Sequence, residues 1–119
     1  MIKVSVLYPN SEGCKFDIAY YCNSHMPMVK NKLGDACKGL AVDHGISGGA
    51  PGSRSTYVAA GHLFFESVEA FQAAFGPHEG VIMADIPNYT DVSPQVQISQ
   101  VVINATRSNT GELHLHRAD

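Results

Sequence analysis

The expected fold is an α+β sandwich: one four-stranded antiparallel sheet with its helices on a single face. Three observations in this 119-residue chain carry the expectation. Apolar and polar residues alternate through most of residues 2–8 and 94–102, the period of a half-buried strand, and residues 56–65 read as a further strand with Tyr57, Ala59, Gly61, Leu63 and Phe65 on one face. Residues 16–33 and 67–75 instead place apolar side chains at helical spacing. With a weaker strand ending at residue 45 and a short helix near 78–85, the order becomes strand, helix, strand, strand, helix, short helix, strand. That βαββαβ order is the ferredoxin-like split βαβ arrangement.

Each element has a local reason. In the first strand Ile2, Val4, Val6 and Tyr8 point one way, and Lys3, Ser5 and Leu7 the other. The cluster from Pro9 to Gly13 is a turn. Residues 16–33 carry a stripe through Ile18, Tyr21, His25, Val29 and Leu33, and Gly34 suits the stop. Pro27 sits inside this helix, removes a backbone donor and predicts a kink. The second strand runs from about residue 36 to 45. Residues 46–55 are rich in Gly and Ser and read as a long loop or mobile flap; without a G-x-G-x-x-G or a P-loop lysine they give no nucleotide site. In the third strand Gly61 and the neighbouring alanines leave room for close approach or for a ligand. Ser67 is a good N-cap for the helix through Phe75. Pro94 marks the entry of the last strand as an edge or a bulge. Beyond residue 103 the chain is polar and reads as an arm, with His114 and His116 as at most a weak metal pair.

Composition narrows the function. Hydrophobic residues make up 45% and charged residues 16%, so one domain has a core to bury and little charge to cover its outside. Eight scattered Lys and Arg against a net charge of −3 argue against nucleic acid and anionic membrane as partners. The first residues lack a signal-peptide pattern, and no apolar run reaches the length of a membrane span. Cys14, Cys22 and Cys37 form no CxxC pair, which fits a reducing, cytoplasmic setting. The histidines lack H-x-x-x-H spacing, so no metal is expected, and no G-x-S-x-G marks a serine nucleophile. With helices on one sheet face, the other face is a mixed surface suited to a second copy in a two-fold dimer.

The stretch from His78 to Thr90 draws attention as a site. If Pro77 opens a helix, His78, Ile82 and Asp85 fall at i, i+4 and i+7 on one face, and Pro87 then ends it. His25 lies on the inward stripe of the first helix, where the Pro27 kink opens a gap beside Met26 and Met28. Both histidines would then reach a pocket between sheet and helices.

Several motifs together resemble the EthD family of the dimeric α+β-barrel superfamily. They are residues 1–10, Phe16-Asp17 with Tyr20-Tyr21, His25-Met26-Pro27, Phe75-Gly76-Pro77-His78 and residues 84–90. The resemblance covers residues 1–103 and leaves 104–119 as a separate polar tail. It implies a ferredoxin-like subunit that dimerises into a barrel, and a broad oxidoreductase label. Positions 25, 78 and 85 match the family's histidines and acidic residue.

The expected activity is that of a small-molecule oxidoreductase of a catabolic pathway, acting on a small apolar or aromatic compound without a tightly bound cofactor. His25 would be the general base, His78 a donor to developing negative charge, and Asp85 a positioning residue. Tyr8, Tyr21, Met26, Met28 and Phe64 would line the pocket. Alternatives are a non-catalytic binding or accessory protein, a decarboxylase or cyclase of aromatic substrates, and a haem protein using an inward histidine.

Overall fold

The computed structural model describes residues 1–107 and 111–117. Strands β1 (Ile2–Pro9), β2 (Gly39–His44), β3 (Tyr57–Phe65) and β4 (Gln95–Gln100) form one antiparallel sheet in the order β2-β3-β1-β4. This is the ferredoxin-like order expected from βαββαβ. Register follows the alternation of β1: Val4 stands opposite Leu63 of β3 and Ile98 of β4. All of these point to the helix-covered face. There Val4, Tyr8, Ala59, Leu63 and Phe65 are buried against Tyr21, Met26, Val29, Leu33, Ile82 and Tyr89.

The first helix is built in three pieces. Helix α1 (Ile18–Tyr20) passes through a π turn (Tyr21–His25) into α2 (Met26–Leu33). The expected kink at Pro27 therefore takes the form of a widened turn just before it, with the Met26 amide donating to the Tyr21 carbonyl. Pro27 then lies in the first turn of α2, where its missing N–H costs least. The stripe survives the π turn, and Tyr21, His25, Val29 and Leu33 are all buried. Gly34, at φ 61°, ends the helix.

Helix α3 (Val68–Phe75) starts at Ser67, whose hydroxyl accepts from the Ala70 amide at 3.0 Å. It sets Phe71 edge-on to Phe65, with centroids 5.1 Å apart. A 3₁₀ turn (Gly76–His78), helix α4 (Glu79–Asp85) and a second 3₁₀ turn (Ile86–Asn88) follow. Pro77 thus opens a 3₁₀ turn, and the α-helix begins only after His78.

The glycine-rich loop is held by its own backbone. The Gly48 amide donates to the Ser53 carbonyl at 3.0 Å, and the Gly45 amide to Val58 at 2.9 Å. A Cβ at Gly45 would collide with the Tyr57 carbonyl and one at Gly48 with that of Arg54. Glycine is required here for close packing of backbone on backbone, which argues against a loose flap. At the C-terminus, β5 (Ile103–Arg107) pairs with β6 (Leu113–Arg117) as a separate two-stranded sheet, with Ala105 opposite Leu115. The side chains of His114 and His116 lie outside the described residues. Among the described residues no helix is long and apolar enough to cross a membrane.

Candidate functional site

The chain returns after α4 to meet the start of α1, and this closure builds the site. The Asp17 amide donates to the Tyr89 carbonyl at 2.7 Å, and Phe16 bridges Thr90. The Thr90 hydroxyl donates to the Lys15 carbonyl at 2.6 Å. Asp17 also caps α1, accepting from the Tyr20 amide at 3.0 Å. These bonds pin residues 85–91 against the helix that carries Tyr20, Tyr21 and His25.

Asp85, the last residue of α4, becomes the hub. Its carboxylate accepts from the Tyr20 hydroxyl at 2.7 Å, from the Asn88 amide at 2.9 Å and from His25 Nδ1 at 2.9 Å. Burial alone would raise its pKa. The hydrogen bonds from Asn88, His25 and Tyr20 outweigh that and hold the carboxyl below the usual carboxylate range. An ionised carboxylate only accepts, so His25 donates from Nδ1 and keeps its lone pair on Nε2 when neutral. The His25 ring is almost fully buried and stacks on Tyr21 at 5.5 Å. Nε2 lies 3.5 Å from the Tyr89 hydroxyl, which is 2.6 Å from the Tyr8 hydroxyl. Burial is the leading cause that pushes the Tyr8, Tyr21 and Tyr89 phenols far above the ordinary tyrosine value. They remain protonated at neutral pH, so a continuous path of polar groups runs from Asp85 through His25 to paired phenols.

His25, Tyr8, Tyr21 and Met26 line a cavity of about 290 Å³ between the helices and the sheet. The rest of its wall is mainly apolar, with Val4, Leu63 and Ile82 as deep members and Met83 and Val96 at an exposed side. The volume is at the lower end of the ~300–1,000 Å³ common for small-molecule pockets. The room left by Gly61 is taken by the Tyr21 phenol, whose oxygen lies where a Cβ would stand.

Other expected residues fall elsewhere. Met28 lines a shallow outer groove with Tyr20 and Asp85. Phe64 projects to the opposite face of the sheet, one position out of phase with Leu63 and Phe65, and packs over Gly39. His78 is half-buried and does not line the cavity. Nor does it pair with Asp85, because the 3₁₀ turn at Gly76–His78 breaks the helical phase assumed from Pro77. Tyr20, Asn88 and Tyr89, which complete the polar network, were not singled out. Tyr89 had a readable signal, a large amphipathic ring just after the Pro87 stop. Among the described residues no three His, Cys, Asp or Glu side chains converge as a metal site.

A four-stranded ferredoxin-like sheet, helices on one face and an apolar cavity beside a His–Asp pair define an α+β protein with a built internal pocket. The chain belongs to the EthD family: the EthD domain model matches residues 15–93. A crystal structure of an EthD-like protein from Ralstonia eutropha JMP134 is 50% identical, with a TM-score of 0.82 over 85% of this chain and 91% of that one. An EthD (ethyl tert-butyl ether D) family protein from Bacillus halodurans C-125 is 22% identical, with a TM-score of 0.63 over 84% of this chain and 97% of that one; this likeness is one of fold. No curated protein matches the chain.

Proposed function

We propose that the protein is a small-molecule enzyme in which His25 is the general base toward a small apolar or aromatic compound held in the cavity. The observation that carries the reading is the His25–Asp85 pair, with its imidazole in the wall of an apolar pocket. Asp85 fixes the tautomer and stabilises the imidazolium that forms when Nε2 takes a proton. The low-dielectric surroundings strengthen that interaction. A CH₂ group activated by a neighbouring carbonyl or aromatic ring would lose its proton to Nε2. The resulting carbanion would reduce O₂, so that R₂CH₂ and O₂ become R₂C=O and H₂O. The substrate supplies every electron, in keeping with an oxidoreductase of a catabolic route that holds no tightly bound cofactor.

The test is oxygen uptake with a panel of enolisable aromatic ketones and phenols, comparing the natural protein with His25→Gln. A loss of about 10²–10⁴-fold in the variant is expected for removal of a general base. Equal uptake by both would remove His25 from the chemistry. One observation favours a second reading, that of a non-catalytic binding or accessory protein: His78 does not share the cavity, so a two-histidine acid–base pair is not assembled there. In that case His25→Gln would alter ligand affinity, and neither form would consume oxygen.

A second copy is proposed to cover the open sheet face as a two-fold dimer. That face carries Ala60 and Phe64 beside the hydrogen-bonded row of Ser5, His62 and Asp43, opposite the helices. The three cysteines are free, in keeping with a cytoplasmic setting.

A further inference from the structure

We infer that the cavity admits uncharged substrates and that Glu79 is the residue that keeps carboxylates out. The inference rests on the proposed role of the cavity and adds the charge class of its ligand. Glu79 is the only formally charged side chain in the cavity wall among the described residues, and no Lys or Arg lines it. It is solvent-exposed in the first turn of α4, next to the exposed Met83 edge of the cavity. Asp85 adds a second negative charge, reaching His25 from the outer groove on the far side of the ring. An entering carboxylate would lose its hydration in an apolar space, face the Glu79 carboxylate at its edge, and find no Lys or Arg to pair with. A neutral phenol or enolisable ketone avoids all three penalties. Its anion arises only when the proton has moved to His25, so the charge forms beside the imidazolium that balances it.

The experiment measures dissociation constants of naphthol, naphthoate and naphthylmethylammonium at neutral pH for the natural protein and for Glu79→Gln. Glu79 is exposed, so the variant is expected to fold; circular dichroism checks it. Naphthol should bind best, and naphthoate at least ten-fold more weakly. In Glu79→Gln the gap between them should narrow by roughly three- to ten-fold, the size of one partly screened charge at several ångströms. Equal binding of naphthol and naphthoate, or an unchanged gap in the variant, overturns the role of Glu79. Tighter binding of the ammonium than of naphthol overturns the uncharged class. If none of the three binds either protein, the cavity is not a ligand site, and the proposed function falls with it.

Discussion

Asp85 is the residue on which the site depends most. Three donors converge on it, and its low pKa means that they bind the charged form. Replacing it by Asn should cost about 1.5–3 kcal/mol near neutrality, the range for hydrogen bonds to a charged group. The sign of the pH dependence follows. A carboxyl depressed in the folded state contributes stability above its unfolded value of about 4, and loses it as pH falls through the folded value. Urea midpoints of the natural protein and Asp85→Asn should therefore differ at neutral pH and converge in acid. A constant difference down to pH ~3 would mean the charge contributes nothing. The phenols act at the other end of the scale. Tyr8, Tyr21 and Tyr89 are raised in the folded state, chiefly by burial, so their contribution is full below the unfolded value of about 10 and is lost above it. In an alkaline titration followed by phenolate absorbance, these three should ionise only together with unfolding, detected by circular dichroism. Ionisation of all tyrosines before unfolding would contradict their burial.

At the scale of elements, the most sensitive contact lies between the π turn and β3. The Tyr21 phenol rests on Gly61, so Gly61→Ala must displace that ring and, through its stacking, His25. Overpacking of this kind costs about 1–3 kcal/mol. A thermal-unfolding comparison should show a clear loss for Gly61→Ala, whereas Gly80→Ala in α4, with open space at its Cβ position, should be neutral or stabilising. If both variants melt alike, Tyr21 is not held as described. These elements also show what can be read from sequence. Alternation in β1 and β4 and the Tyr21–His25–Val29–Leu33 stripe made much of the sheet and the inward histidine legible, because side-chain period is a local property. The partner of His25 was not legible. Asp85 was recognised, but its pairing depends on two breaks in helical phase, the 3₁₀ turn at Gly76–His78 and the π turn at Tyr21–His25. Each sits beside a proline, Pro27 or Pro77, whose position announces a break in the helix but not the kind of turn that results. In the 46–55 loop the glycines suggested mobility, whereas Gly48 is needed for the close approach of the loop's own backbone at Arg54.

For the whole molecule, the unsettled surface is the sheet face opposite the helices. The helices bury only one side, yet the other side holds an ordered row: Ser5 Oγ lies 2.9 Å from His62 Nδ1, and His62 Nε2 lies 2.9 Å from Asp43. Ser5 and Ala60 are both buried even in one copy, which leaves a close-packed centre whose Ser5, His62 and Asp43 side chains are already paired. That row can be covered by an identical face without leaving its own polar atoms unsatisfied, a main cost of a polar interface. A glutamate at position 60 would put an unpaired charge at the centre of that contact. It would leave the helix-side core untouched, since Ala60 points away from it, out of phase with Ala59 and Gly61. Light scattering coupled to size exclusion should find the natural protein as a dimer and Ala60→Glu as a folded monomer. A natural protein that elutes as a monomer at micromolar concentration, or a variant that remains dimeric, would place the partner surface elsewhere.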